Sequence, residues 1–433
     1  MNQTLEIFGQ VRLNIYTQIC LCYARSSSKE DIVETLQAGL LKLTESFPWI
    51  AGQVVKRPSG LFEISEYEKT PVLTVRDNSM SFERLREAQF PFRMLDEADL
   101  APRRTTPRAN DTVFPVFMVQ ATFVEGGLLL TFLGHHQVMD GTGQAQLMSL
   151  LSKACNKEPF TEEELTVGNS QRENIVSLFS DAELKNYGDL QEKLSHQILI
   201  PSTDSAVIPT KYPSWKYFNF SKESLKQLKS QASQNLKTPF VSTDDTLTAF
   251  VWQAVSRARL QRLPGDRKST LGRAVNVRSC LDISESQPGN LTNMAYGQST
   301  LEELSAAPLG HVASLLRSKL DSTELQKDTR ALATLIHSSR ESVHTSPTAS
   351  IDVSSDILLS SWAQQNSYEL DFGLGLGYPE CVRRPQFTPC ESLMYLLPKS
   401  REGDIALAIC VHDEDMEALR RDPEFSRFST YIE

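Results

Sequence analysis

One short segment of the chain combines residue types that suit acyl transfer. Residues 135–141, His-His-Gln-Val-Met-Asp-Gly, place a histidine, a carboxylate four residues later and a glycine directly after an apolar run. Residues 127–134 have the composition of a buried strand, and residues 142–155 carry apolar side chains at helical spacing. The segment is therefore predicted to form a strand-to-helix turn, where side chains project from a rigid edge.

A second motif lies far along the chain. The pattern His136-x-x-x-Asp140 alone is weakly specific, because so short a pattern arises by chance. Asp371-Phe372-Gly373-Leu374-Gly375 closely matches the Asp-Phe-Gly-Trp-Gly element that accompanies this histidine motif in one superfamily. Together the two motifs resemble those of the plant and fungal BAHD acyltransferases, which transfer acyl groups from coenzyme A thioesters to alcohols and amines.

The resemblance is closest to the trichothecene 3-O-acetyltransferase branch, and it spans nearly the whole chain. It is carried by collinear blocks at 14–19, 48–54, 101–105, 151–155, 159–164, 240–245 and 371–395. It implies an α/β (α+β) protein of two chloramphenicol-acetyltransferase-like domains with a solvent channel between them. Two departures from the branch flank the catalytic histidine, because His135 replaces a Gln and Gly141 replaces a Met. The acceptor is therefore the least determined part of the prediction.

The resemblance assigns the general base to His136. An alcohol does not ionise at neutral pH, so a positioned base must take its proton as it attacks the thioester carbonyl. The unperturbed pKa of histidine, about 6.5, leaves the ring mostly neutral at that pH. The imidazolium can then protonate the departing thiolate of coenzyme A. Direct transfer in a ternary complex is therefore predicted, without an acyl-enzyme.

The residues around His136 are given supporting roles. Asp140, also in the catalytic motif, could orient the imidazole, but its place before a helix favours capping the first turn or pairing with an arginine. His135 is expected to shape the turn beside the substrate channel. Gly141 is expected to give that channel room and the turn its backbone angles. No metal is predicted, because no further protein ligand with zinc-type spacing accompanies His135, His136 and Asp140.

The Asp371 motif is predicted to be architectural. Its glycines do not form a dinucleotide-binding loop, because the strand-loop-helix setting is missing and Pro379 follows. Superfamily members pair this aspartate with an arginine. The resemblance therefore predicts an ion pair between Asp371 and Arg278, with Gly373 and Gly375 completing the structural motif.

Candidate contacts for coenzyme A flank one predicted helix. Ser242 and Thr243 stand at its N-terminus, and Arg257 and Arg259 stand near its end, where family members place cations for the 3'-phosphate. Helix capping by the hydroxyls and solvent-exposed helix charge are the structural alternatives. The sequence does not identify a donor for the oxyanion of the tetrahedral intermediate.

Composition bounds the function classes of this chain of 433 residues. Its formal net charge of -10 argues against nucleic acid as a partner, whereas coenzyme A needs only a local cation cluster. No stretch approaches the roughly 20 apolar residues of a membrane span. The N-terminus lacks the basic-then-apolar order of a signal peptide, so a cytoplasmic monomer is expected. The seven scattered cysteines predict reduced thiols, not a disulfide framework.

The chain is predicted to form two domains joined by a linker. The N-terminal domain is placed at 1–190, a linker rich in Ser, Thr and Pro at 191–214, and the C-terminal domain at 215–433. The predicted elements are one or two strands in 5–24, a helix at 29–46, a hairpin turn at 125–127, a strand at 215–220 and a capped helix at 246–260.

The sequence thus predicts an acetyl-CoA-dependent O-acetyltransferase for a small-molecule alcohol. The leading acceptor is the C-3 hydroxyl of a trichothecene, a fungal secondary metabolite. An alkaloid or other terpenoid acceptor, alcohol or amine, stays open. A condensation domain that takes acyl groups from a carrier protein and a catalytically silent binding protein are the alternatives from other classes.

Overall fold

The structure is a computed structural model that describes residues 2–11, 13–199, 213–338 and 345–433. The strands are β1 Gln3–Thr4, β2 Tyr16–Ala24, β3 Gln53–Lys56, β4 Phe62–Ser65, β5 Val72–Ser81, β6 Phe117–Glu125, β7 Gly127–His135, β8 Ser214–Phe220, β9 Lys268–Asn276, β10 Thr292–Thr300, β11 Ile357–Ser361, β12 Cys381–Arg383, β13 Leu393–Leu396, β14 Ile405–Val411 and β15 Thr430–Ile432.

The α-helices are α1 Lys29–Ser46, α2 Phe82–Glu87, α3 Glu97–Leu100, α4 Gly141–Cys155, α5 Glu162–Gly168, α6 Asp181–Tyr187, α7 Leu190–Lys193, α8 Lys222–Ser233, α9 Thr243–Arg259, α10 Leu301–Ala306, α11 Leu309–Ser318, α12 Ser322–Ser338, α13 Asp413–Arg421 and α14 Pro423–Phe428. The alternation of these helices with the strands confirms the predicted α/β class.

The chain divides into two compact units, neither of which is one continuous segment. The first unit comprises Met1–Ser177, Leu281–Thr292 and Gln365–Thr388, and the second comprises Leu178–Cys280, Asn293–Gln364 and Pro389–Glu433. Two late segments thus belong to the first unit, because they pair with its strands or hydrogen-bond to its loops. The division at 1–190, 191–214 and 215–433 assumed continuous domains and stays a prediction. Residues 200–212 of its linker lie outside the described residues.

The first unit is built on a sheet of five strands in the order β12-β2-β7-β6-β5. β2 and β7 pair antiparallel from Tyr16 opposite His135 to Ala24 opposite Gly127. β7 is buried along its whole length, as its continuous apolar sequence predicts. A second sheet of this unit has the order β1-β4-β3. The central strand β7 thus carries its last residue, His135, to one end of the larger sheet.

The local signals in the sequence locate several elements correctly. α1 occupies the predicted residues 29–46, with Ser28 capping it, and Gly126 adopts φ 75° in the β6-β7 hairpin. α9 begins at 243, earlier than the predicted 246, because Ser242 and Asp245 form a capping box. The strand predicted within 5–24 is wrong for Ile7–Gln10, which forms a 3-10 helix. Gly9 packs there so closely that an added Cβ would lie 2.6 Å from the carbonyl oxygen of Gln137.

The second unit contains a sheet of seven strands in the order β10-β9-β11-β13-β14-β8-β15. Helix α9 packs into its core, where Phe250 stacks on Phe425 with ring centroids 5.7 Å apart. Most residues of α9 are buried, so this helix is apolar on more than one face. Because α9 is so deeply buried, polar side chains along it form hydrogen bonds with other groups of this unit.

Two general properties of the chain concern its cysteines and its helices. All seven cysteines carry free thiols, and Cys390 alone among them is exposed. Among the residues that the structure describes, no helix is both long enough and apolar enough to cross a membrane.

Candidate active site

His136 lies directly after strand β7, at the end of the five-stranded sheet. Its backbone N–H donates to the carbonyl oxygen of Ile15 at 2.9 Å, which ties the residue to the segment that leads into β2. The side chain is partly exposed, and its Nδ1 is buried. Within the described chain no other residue donates to or accepts from this ring. The imidazole is thus available to exchange a proton with a bound molecule.

The surroundings of His136 favour its neutral form. Burial lowers its pKa below the ordinary value, and the positive charge of Arg384 acts in the same direction. A hydrogen bond to its own carbonyl group and the negative charge of Asp140 act in the opposite direction. Because the net effect lowers the pKa, the ring is neutral at neutral pH. A neutral imidazole is the form that can act as a general base.

His135 lies inside the first unit. It has no exposed surface, and its ring meets the Tyr16 ring edge to face at a centroid distance of 5.0 Å. Its Nε2 pairs with Asn14 Oδ1 at 3.1 Å, and its Nδ1 accepts from the N–H of Gln137 at 3.3 Å. Burial lowers its pKa to about 3, with His136 and Arg103 contributing. This placement agrees with a turn-shaping role, whereas a place for His135 in the substrate channel stays a prediction.

Asp140 is the N-cap of helix α4. One carboxylate oxygen accepts from the N–H of Gly143 at 2.8 Å. The other accepts from the N–H of Leu291 at 2.8 Å and from the hydroxyl of Thr292 at 3.2 Å. The side chain is 2% exposed, so it holds the end of the turn to the 281–292 segment of the same unit. This is the supporting geometry that its position in the sequence predicts.

Near the start of α4, the close packing requires a glycine at position 143. Gly141 is the first residue of α4 and its φ is not positive, so the expectation that it supplies special backbone angles is wrong. At Gly143 an added Cβ would lie 2.2 Å from the carbonyl oxygen of Pro288. Helix α4 therefore approaches the 281–292 segment at a point where a side chain cannot fit.

A second set of buried polar groups also holds the turn. The side-chain amide of Gln137 donates to the carbonyl oxygens of Gly9 and Val11 at 3.1 and 3.2 Å. The guanidinium of Arg172 donates to the carbonyl oxygen of Val138 at 2.6 Å. The sequence gives no sign of the Arg172 contact, because Arg172 is remote from the turn in sequence and belongs to no recognisable motif. A buried arginine gives no pattern that differs from that of an exposed one.

The Asp371-Gly375 motif forms a glycine-rich turn in the first unit. Gly373 and Gly375 have φ values of 65° and 70°, which side-chain-bearing residues rarely adopt. The carboxylate of Asp371 accepts from the N–H of Gly373 at 2.9 Å, and its carbonyl oxygen accepts from the hydroxyl of Ser152 in α4 at 2.6 Å. The motif thus braces helix α4, which begins directly after the turn of residues 136–140.

Arg278 lies in the second unit. It is fully buried, and its Nη1 donates to Asn276 Oδ1 at 3.0 Å. The predicted ion pair with Asp371 would join residues of different units, and it stays a prediction.

The candidate coenzyme A contacts all lie in the second unit. Ser242 caps α9, and Thr243 is the first residue of that helix. Arg257 pairs with Asp422 at 2.7 Å. Arg259 is 1% exposed and donates to Ser392 Oγ at 2.6 Å. These contacts agree with the structural alternatives of capping and helix charge, although Arg259 is buried where solvent exposure was expected. Binding of coenzyme A by these residues stays a prediction.

No metal site is formed by the described part of the chain: within it, no group of three His, Cys, Asp or Glu residues is arranged to hold an ion. A proton-accepting histidine at a strand end, braced by a capped helix, is a suitable arrangement for activating a hydroxyl nucleophile.

Comparison with known proteins identifies relatives of full length. Residues 15–155 match the model of the trichothecene 3-O-acetyltransferase-like N-terminal domain. The O-acetyltransferase dmxR13 of Cryptosporiopsis is 46% identical, over 99% of this chain and 97% of that protein. This level of identity over the full length establishes common ancestry and a common type of enzyme.

Solved structures agree with this relationship. TRI101 of F. graminearum, in its crystal structure with coenzyme A and deoxynivalenol, is 39% identical to this chain, with a TM-score of 0.94 and full coverage of both chains. Vinorine synthase shares the fold, with a TM-score of 0.69 at 16% identity, over 98% of this chain and 93% of that one. The chain therefore belongs to the trichothecene 3-O-acetyltransferase-like family of BAHD acyltransferases.

Proposed function

We propose that this enzyme transfers the acetyl group of acetyl-CoA to a hydroxyl of a fungal secondary metabolite, with His136 as the general base. The observation that carries the proposal is the environment of His136. No other residue of the described chain hydrogen-bonds to its buried Nδ1, the side chain is partly exposed, and burial lowers its pKa. Family membership supplies the acyl-transfer chemistry that such a base would serve.

The reaction requires two proton transfers at one imidazole. Because Nδ1 is buried, Nε2 is the ring nitrogen left to meet a substrate. It takes the hydroxyl proton as the acceptor oxygen attacks the thioester carbon, and a tetrahedral intermediate forms. The carbon-sulfur bond then breaks, and the imidazolium returns the proton to the thiolate of coenzyme A. The products are an acetyl ester and free coenzyme A, without an acyl-enzyme.

Asp140 supports this chemistry through the backbone. Both of its carboxylate oxygens accept hydrogen bonds, from Gly143 on one side and from Leu291 and Thr292 on the other. A carboxylate held in this way orients the start of α4 and the preceding turn. Its negative charge also favours the imidazolium that forms during the reaction.

The proposed acceptor is the C-3 hydroxyl of a trichothecene. The support is the match of residues 15–155 to the trichothecene 3-O-acetyltransferase-like N-terminal domain. TRI101 of F. graminearum, whose structure holds coenzyme A and deoxynivalenol, is also 39% identical over the full length. His135 and Gly141 differ from the trichothecene branch beside the base, so an alkaloid or other terpenoid alcohol, or an amine, is the second candidate. The enzyme is further proposed to be a cytoplasmic monomer that uses Ser242, Thr243, Arg257 and Arg259 for coenzyme A.

Acetyl transfer can be tested directly with the purified chain. The enzyme is incubated with acetyl-CoA and a panel of hydroxylated fungal metabolites that includes trichothecenes and other terpenoid and alkaloid alcohols. The expected result is the mass gain of one acetyl group on one acceptor, with stoichiometric release of thiol. A reaction without acceptor controls for hydrolysis of the thioester. Transfer only from longer acyl thioesters, or only from an acyl carrier protein, would contradict the proposal.

A further inference from the structure

Two buried charged side chains of the first unit contact the turn that carries His136. Arg172 is 2% exposed and Glu6 is 1% exposed. The Nη1 of Arg172 donates to the carbonyl oxygen of Val138 at 2.6 Å and lies 3.5 Å from Glu6 Oε2. The guanidinium also lies over the Trp49 ring, at 4.4 Å from its centroid. The arginine is therefore fixed from three directions.

The other end of this pair reaches the segment that Asp140 holds. Glu6 accepts from the backbone N–H of Asn290, and Asp140 accepts from the N–H of the next residue, Leu291, at 2.8 Å. The two carboxylates thus bind adjacent backbone amides in the segment that leads into β10. Arg172 joins this arrangement to the carbonyl group between His136 and Asp140. The N-terminal segment, the turn and residues 290–291 are consequently linked through one ion pair.

The stability of the fold does not by itself explain such a pair. Removing two charges from water is costly, and well-packed apolar residues of similar volume are often as stable as a buried ion pair. What an ion pair adds is direction, because a planar guanidinium holds a carbonyl oxygen in one geometry. Here the carbonyl oxygen belongs to Val138, two residues after the base and two residues before the helix cap.

We propose that Glu6 and Arg172 are positioning residues for catalysis, whose ion pair fixes the turn of residues 135–140 so that the His136 ring meets the reacting hydroxyl. The inference rests on the proposed function of His136 as the base. Loss of the ion pair between Glu6 and Arg172 is expected to displace the His136 ring, which itself stays present. A displacement of about 1 Å at a catalytic group can cost on the order of 10²-fold in rate.

The test compares four variants of the full-length enzyme. Arg172→Met removes the charge and the donor at similar volume, and Arg172→Lys retains the charge without the planar fork. Glu6→Gln retains an acceptor for the Asn290 N–H and a side chain of similar shape. Arg383→Met is the matched control, because Arg383 is 7% exposed and donates to the backbone carbonyl oxygen of Phe90, away from the turn.

Each variant is measured for kcat, for KM of acetyl-CoA, for Tm and for the titration of the His136 ring by NMR of labelled histidine. Arg172→Met is expected to lower kcat roughly 10²-fold with little change in KM, with Arg172→Lys intermediate and Glu6→Gln lowered less. The His136 pKa should rise towards its ordinary value in Arg172→Met, because water reaches a loosened turn. Arg383→Met should lower Tm and leave kcat of the folded enzyme and the His136 titration unchanged.

Equal loss of kcat in Arg172→Met and Arg383→Met would overturn the proposal, because the effect would then reflect stability alone. The proposal would also be overturned if both Glu6→Gln and Arg172→Lys left kcat and the His136 titration unchanged. These two variants provide the test if Arg172→Met does not fold. The titration needs no substrate. A wild-type enzyme that transfers no acetyl group would refute the proposed function, while the titration would still report on the position of the ring.

Discussion

The ring of Phe372 stacks on the ring of Phe132, with centroids 5.3 Å apart and an angle of 20° between the planes. Phe132 lies in β7, four residues before His136, and Phe372 is the second residue of the Asp371-Gly375 motif. The Asp371-Gly375 motif therefore packs against the strand that leads to the histidine motif. The glycine-rich motif thus supports strand β7, which ends directly before His136.

Replacing Phe372 should lower stability before it affects chemistry. The side chain is 1% exposed, and Phe→Ala in a core typically costs about 3 to 5 kcal/mol. The free energy of unfolding of Phe372→Ala can be measured by denaturant titration. Leu41→Ala is the control, because Leu41 is 51% exposed on helix α1. A stability loss no larger than that of the control would show that the stacked pair does not support the fold.

Substitutions at Asp140 separate a supporting role from a chemical one. Asparagine can still cap α4 through its side-chain oxygen, whereas alanine leaves the N–H groups of Gly143 and Leu291 without that acceptor. Loss of a cap typically costs about 1 kcal/mol, and a buried unsatisfied donor costs about 1 to 3 kcal/mol. Asp140→Asn is therefore expected to retain more stability and a higher kcat than Asp140→Ala. Equal and complete loss of kcat in both, with both folded, would instead indicate a chemical role.

The pH dependence of the reaction should report the environment of His136. The base works only when it is neutral, so activity is lost as pH falls through its pKa. Because burial lowers that pKa, the acid limb of kcat/KM is expected to have its midpoint below the ordinary histidine value of about 6.5. The profile is measured together with a control at each pH that the enzyme stays folded and active during the assay. A midpoint above the ordinary value would contradict the described environment.

Arg384 offers a test of the same environment through charge alone. Its guanidinium is 2% exposed, lies over the Phe387 ring at 4.3 Å, and lowers the His136 pKa. Arg384→Met removes that charge, so the midpoint of the acid limb should move to higher pH. Arg384→Lys retains the charge and should keep the midpoint closer to that of the wild type. If the two variants shift the limb equally, the charge of Arg384 does not act on His136.

Local signals predicted the framework of the site well. The apolar run before His135, the helical spacing after Gly141 and the capping residue Asp140 are all encoded within a few neighbouring residues, and the structure has a strand, a turn and a capped helix there. The prediction of one or two strands within 5–24 failed at Ile7–Gln10, which form a 3-10 helix with Gly9 packed against Gln137. Packing against a distant segment outweighed local preference.

What the sequence could not predict depends on contacts between distant segments. Nothing local distinguishes Arg172 and Glu6, which lie far apart in the chain and meet beneath the turn. The same holds for Gly143, because only the distant carbonyl group of Pro288 excludes a side chain at that position. The position of Arg259 near a helix end predicts a solvent-exposed charge, whereas the fold buries this side chain among polar groups of its own unit.

The role of His136 as the general base is tested by the rate of acetyl transfer by His136→Ala, measured as thiol release and product mass beside the wild type. Loss of a general base is expected to lower kcat by roughly 10²- to 10⁴-fold, while the fold and the affinity for coenzyme A are kept. His136→Gln should be equally impaired, because an amide cannot accept the proton. Product formation at the wild-type rate by either folded variant would contradict the assignment of His136 as the base.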